Sequence, residues 1–196
     1  MWGNKENYLA AALNVVYGVK EKVPFGASNR LSDFVESYDR HHKKVEGANP
    51  GVVDKVMGGM TAFLPLMTGA NRAVQIYDEI AGNASLDKLE RYRQIANLTV
   101  KMKAGNCFEQ AIVAFIDLYD RGIRPVAIMY MDNRRHAFVL IGRPSRTENH
   151  PSKWGDECVV CDPWAREAYY LPADTGAGIL QTKWGCPTAT AEFGVA

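Results

Sequence analysis

From residue 107 onward the chain changes its period. Phe108, Ala111, Ile112, Phe115, Leu118 and Tyr119 recur at helical spacing, and Gly122 stops the run. Then the pattern becomes strand-like. Residues 124–131 form one apolar run and Asp132-Asn133 makes a turn. Residues 134–142 form a second run, with His136 near its start, and residues 157–161 a third that ends in Asp162-Pro163-Trp164. In the second run His136, Phe138 and Leu140 alternate with Ala137, Val139 and Ile141, so both faces are apolar and the strand is expected to be central. A fourth strand is expected at 167–171, paired with the third, and a last one at 179–184. Residues 172–178 read as a turn region, and residues 186–196 as a poorly ordered tail of small residues.

Residues 1–103 read as mostly helical. A helix is expected at 7–20 with Tyr8, Leu9, Ala12, Leu13, Val16 and Tyr17 on its apolar face. Further helices are expected at 28–44, 52–60 and 72–81. Another, at 86–103, is capped by Ser85, with Leu89, Tyr92, Ile95, Ala96, Val100 and Met102 as candidates for its inner face. Helices first and a meander of strands afterwards define an α+β fold in a single domain. Its helical part spans 1–103, its helix-and-sheet part 104–185 and its tail 186–196. The helix that starts at Cys107 is expected at the centre, with the sheet on one side and the N-terminal helices on the other.

Cys107 carries the candidate chemistry. Gly105 frees the backbone before it, Asn106 is a good N-cap, and Glu109 completes something close to a capping box. A cysteine in a helix's first turn meets unpaired N–H groups and the positive end of the dipole, which favour a thiolate. A thiol nucleophile needs a base, and the base needs a group to fix its tautomer. His136 and Asp162, each at an element boundary, supply those roles. The backbone N–H of Cys107 is expected in the oxyanion hole. Asp162 alone would read as a turn former before Pro163, Cys107 alone as a core cysteine, and Trp164 as core or as a cover for the His–Asp pair. His41, His42 and His150 fall in charged or polar surroundings and are not assigned to the site.

The segments Gly-Asn-Cys-Phe-Glu-Gln-Ala (105–111), His-Ala-Phe-Val-Leu-Ile-Gly (136–142) and Cys-Asp-Pro-Trp (161–164) resemble the papain-like and transglutaminase-like thiol enzymes. The likeness spans 104–170 and is greatest to compact papain-like domains of bacterial effectors and toxins. It implies a papain-like fold with the Cys-bearing helix packed on an antiparallel sheet. It also implies a Cys107–His136–Asp162 triad, no metal or organic cofactor, and proteolysis or glutamine deamidation and transglutamination of a protein substrate in a target cell. Arylamine N-acetyltransferases carry a similar Cys-Phe-Glu-Gln segment, which leaves a small-molecule acyltransferase as an alternative. A non-catalytic interaction module on the same fold is another. The distance from His136 to Asp162 is longer than in many relatives. The extra length, 143–156, reads as a hairpin insertion that lengthens a loop without moving the triad.

Composition sets the remaining bounds. The chain has 196 residues, 47% of them hydrophobic, with a net charge of +1. That balance points to neither nucleic acid nor an anionic membrane. No signal peptide is visible, and the apolar stretch 57–70 is interrupted by glycines, threonines and Pro65, too short and broken to span a bilayer. The expected setting is cytoplasmic, or delivery by a dedicated secretion machine without a cleaved signal. Of the 4 cysteines, three remain once Cys107 is set aside, so a disulfide framework is not expected. Cys158 and Cys161 have Cys-x-x-Cys spacing, but in a strand they point to opposite faces, which makes a poor chelate. Asn83 and Asn97 match the glycosylation pattern without a secretory context.

Overall fold

The computed structural model describes residues 4–24, 80, 85–144 and 149–195. The helices expected at 28–44, 52–60 and 72–81 lie outside these residues, apart from Ile80, as does the apolar stretch 57–70. The chain divides into two compact units, Met1–Lys20 with Cys107–Ala196, and Glu21–Asn106.

Helix α1 spans Asn4–Lys22, nearly all of it in the first unit. In the second unit helix α2 covers Lys88–Met102. Asp87, rather than Ser85, caps α2: its carboxylate accepts the Glu90 N–H at 2.8 Å. The buried stripe is Tyr92, Ile95, Ala96 and Thr99, spaced three and four residues apart. Leu89, Val100 and Met102 are only half-buried.

The first unit is α+β. Helix α3 spans Cys107–Asp120, and the strands are β1 (Val126–Met131), β2 (Ala137–Ile141), β3 (Val159–Asp162), β4 (Glu167–Tyr170) and β5 (Ala189–Val195). They form one antiparallel sheet in the order β4-β3-β2-β1-β5, with β2 central and every one of its residues buried. Helix α3 ends where Gly122, at φ 74°, turns left-handed. The Gly122 N–H then donates to Tyr119 O, and the Ile123 N–H donates to Leu118 O, which satisfies carbonyls the helix leaves open.

Register divides the sheet into two faces. Ile128, Val139 and Cys161 share one, in line with the pairs Ile128↔Val139 and Val139↔Cys161. Helices α1 and α3 cover it. The Phe115 ring meets Phe193 edge-on, Phe108 stacks on Tyr130, and the Cys161 thiol donates to the Ala12 carbonyl at 3.6 Å. Helix α1 thus lies on the sheet itself, not behind the Cys107 helix. Its buried residues are Ala12, Val15, Val16 and Val19, while Leu13 and Tyr17 are exposed, Tyr17 by 67%. The expected face was rotated because α1 is apolar nearly all round, and only contact with the sheet chooses a stripe.

The other face carries Met129, Phe138, Leu140 and Val160, packed with Trp154, Leu171 and Leu180. Two expectations fail here. Residues 179–184 are not a strand: helix α4 spans Gly176–Trp184, buries Leu180 against this core and ends at Gly185, at φ 69°. Residues 189–195 are not a tail: β5 pairs with the free edge of β1. Its partner is some sixty residues away in sequence, so nothing local announces it. In the 143–156 segment only 143–144 and 149–156 are among the described residues. They hold a short 3-10 turn, Pro151–Lys153, and place Trp154 fully in the core, with Arg143 over its ring at 5.4 Å. Among the described residues no helix is long and apolar enough to cross a membrane.

Candidate active site

Two hairpin turns and one helix start meet at the same end of the sheet. The β1–β2 turn runs from Met131 to His136, whose carbonyl accepts the Met131 N–H at 3.0 Å. The β3–β4 turn follows Asp162, where the Asp162 carboxylate accepts the Ala165 N–H at 3.0 Å. The pair Val139↔Cys161 sets Phe138 opposite Asp162, so His136 lies one diagonal step away on the same face. The two side chains meet there: His136 Nε2 is 2.6 Å from Asp162 Oδ2. Both are buried, with 3% and 0% of their side chains exposed.

Cys107 opens α3 as a half-buried free thiol, and it lies near enough to His136 to contribute to raising the imidazole. Asp162 takes Nε2, so Nδ1 is the ring nitrogen the carboxylate does not hold. The three residues singled out in the sequence therefore come together in the order thiol, imidazole, carboxylate. Burial pushes the His136 imidazolium toward deprotonation, but the hydrogen bonds to Asp162 and Cys107 and their charges outweigh it. The net result raises His136 to about 9.

Aromatic rings enclose the histidine. Trp184 lies flat against it, with ring centroids 3.7 Å apart and planes inclined by 16°. Trp164 approaches at 5.3 Å and 59° and meets Trp184 edge-on at 6.0 Å. Trp184 is the residue that sequence reading missed, because its segment was read as a strand. The i, i+4 pair Leu180–Trp184 just before Gly185 is the signal that points to the helix. Its position is held from two sides. Asn133, in the β1–β2 turn, donates its amide N–H to the Trp184 carbonyl at 3.0 Å and accepts the Arg135 N–H at 3.1 Å. Beside Trp184, Lys183 bridges to Glu167 on β4 at 2.7 Å. Tyr169 on β4 faces the same group, and burial followed by the Asp162 charge pushes its phenol well above the ordinary range.

The remaining cysteines are placed apart. The Cys158 thiol donates to Trp154 O at 3.2 Å, on the opposite face from Cys161. Burial pushes Cys158 up to about 12 and Cys161 higher still. Neither is a nucleophile at neutral pH. Cys186 is partly exposed, and backbone hydrogen bonding with Thr188 draws it below the usual thiol range. His150 belongs to the 3-10 turn, where its Nδ1 lies 2.8 Å from the Ser152 hydroxyl, while His41 and His42 lie outside the described residues. Among the described residues no three His, Cys, Asp or Glu side chains gather as a metal site. Gln110 is buried on α3, and Glu109 is half-buried one residue before it.

Comparison with protein-family models gave no match to this chain, and comparison with curated protein sequences gave none either.

Proposed function

We propose that this chain is a thiol-dependent hydrolase or acyl transferase of the papain-like class, acting on a carboxamide of a protein. The observation that carries the reading is the buried His136 imidazole, held through Nε2 by Asp162 and raised by Asp162 and the nearby Cys107. His136 takes the proton of the Cys107 thiol. The Cys107 sulfur adds to the carbonyl carbon, and the oxyanion forms beside the backbone N–H groups at the start of α3. His136 passes its Nδ1 proton to the departing nitrogen as the C–N bond breaks, leaving a thioester on Cys107. His136 then takes a proton from the incoming nucleophile, which adds to the thioester, and the sulfur leaves. Water completes hydrolysis, and an amine completes acyl transfer. A peptide amine as the first leaving group makes the enzyme a protease, and ammonia from a glutamine side chain makes it a deamidase or transglutaminase. Asp162 keeps the tautomer that presents Nδ1 to the thiol. The likeness of the three site segments to effector and toxin domains supports a protein substrate in a target cell.

The test is the rate of iodoacetamide alkylation at each cysteine against pH, read by mass spectrometry on the native protein and on His136→Ala. Rapid modification of Cys107 below pH 7 that disappears without His136 supports a thiolate–imidazolium pair. A Cys107 that reacts slowly, titrates like a free thiol near about 8.5 and ignores His136 favours a binding module instead.

A further inference from the structure

The two hairpins at the active end are built alike, and each places an arginine where arginine is disfavoured. In the β1–β2 turn the Arg134 N–H closes onto Met131 O at 2.8 Å. In the β3–β4 turn the Arg166 N–H closes onto Pro163 O at 3.2 Å. Both residues are left-handed, at φ 59° and 63°. Such positions accept glycine or asparagine most readily, and another side chain there costs roughly 1–2 kcal/mol. The turn geometry alone gives no reason for arginine. Arg135 follows immediately, and both Arg134 and Arg135 are exposed next to the buried His136. Two exposed guanidinium groups therefore stand beside His136, with Arg166 half-buried on the neighbouring turn, in a chain whose net charge is only +1.

The aromatic packing links this rim to the nucleophile. The Arg134 guanidinium lies 5.6 Å from the centre of the Tyr130 ring. Tyr130 stacks on Phe108 with centroids 4.9 Å apart, and Phe108 follows Cys107 in the first turn of α3. Several nearby carboxylates are already engaged. Asp132 accepts the Thr190 hydroxyl at 2.6 Å, Glu167 holds Lys183, and Asp162 holds His136. Glu109 adds one further carboxylate in the first turn of α3.

We infer that the site draws its carboxamide from an acidic segment of a protein, with Arg134 and Arg135 at the β1–β2 hairpin tip reading carboxylates that flank the reacting group. This rests on the thiol-enzyme reading given above. Guanidinium groups suit the task because they stay charged and bind carboxylates in a fixed planar geometry. A one-signed rim also raises the local concentration of an oppositely charged segment.

The test compares two alkylating peptides of the same shape, N-chloroacetyl-Glu-Glu-amide and N-chloroacetyl-Gln-Gln-amide, and reads the ratio of their rates at Cys107. In the wild-type protein at low ionic strength the acidic peptide is expected to react faster by about fivefold or more, and in about 0.5 M salt that preference should largely collapse. Arg134→Asn with Arg135→Gln, in which asparagine suits the left-handed position, is expected to bring the ratio close to one. Arg134→Lys keeps the charge and should retain most of the preference. A wild-type ratio near one, or a preference that survives the double substitution, overturns the inference. A Cys107 that neither peptide modifies overturns the thiol-enzyme reading itself, so the two failures are told apart.

Discussion

Trp184 and His136 lie face to face, 3.7 Å between ring centroids, although 48 positions separate them in the chain. The indole covers one side of a buried imidazole, and its π-face favours the imidazolium electrostatically. The turn that delivers His136 also fixes Trp184, through Asn133. One element thus sets both the base and its cover.

Removing that cover should loosen the base. Trp184→Ala is expected to slow Cys107 alkylation at neutral pH by about tenfold and to destabilise the fold by about 2 kcal/mol, from lost apolar burial and lost stacking. Trp184→Phe keeps a ring on the imidazole and should recover most of both losses. Alkylation kinetics and thermal unfolding measured side by side on the two variants check this.

Asp162 should prove necessary for the charge state of His136. In Asp162→Asn the acceptor for the Ala165 N–H survives, but the negative charge is gone. Burial then opposes the imidazolium with less to offset it, so His136 should titrate well below about 9. Nuclear magnetic resonance titration of the His136 ring carbons reads the shift. Cys107 alkylation at pH 7 should fall at least tenfold with it.

The same pair makes stability depend on pH. His136 is raised from its ordinary value of about 6.5 to about 9, so the folded state binds a proton more tightly than the unfolded chain. Its contribution is therefore complete below about pH 6.5 and is lost as pH rises through about 9. Its size is on the order of 3 kcal/mol. Urea unfolding at pH 6 and pH 9.5 should show the wild type losing stability across that window. His136→Gln should show a much flatter response.

The four thiols should separate into two classes. In the native protein iodoacetamide is expected to modify Cys107 and Cys186, which are partly accessible, and to spare Cys158 and Cys161, which are fully buried with raised thiols. Peptide mapping after graded alkylation tests this. Modification of Cys158 or Cys161 without unfolding would show that the sheet opens locally.

How much of this was legible in the sequence differs from element to element. The period of Phe108 to Tyr119, stopped by Gly122, marks a helix starting at Cys107, because helical spacing and a left-handed glycine are local properties. The two-sided apolar alternation around Phe138 marks a central strand for the same reason, and β2 is central. The residues Cys107, His136 and Asp162 could be named from their places at element boundaries. Other features came only with the tertiary structure. The stripe that α1 buries is chosen by the sheet, since Tyr8 to Val19 is apolar on nearly every side, Asn14 excepted. Trp154 sits in a polar stretch, and only its packing with Leu140, Leu171 and Leu180 on the sheet's second face marks it as core. β5 is a strand because the β1 edge offers unpaired backbone groups, which a run of small residues cannot announce. The stack of Trp184 on His136 follows from that same chain path: α4 must cross the second face before β5 can reach β1, and the crossing leaves the indole on the imidazole. Spacing and turn chemistry are written in neighbouring residues, whereas which ring covers the base depends on where distant segments are carried by the fold.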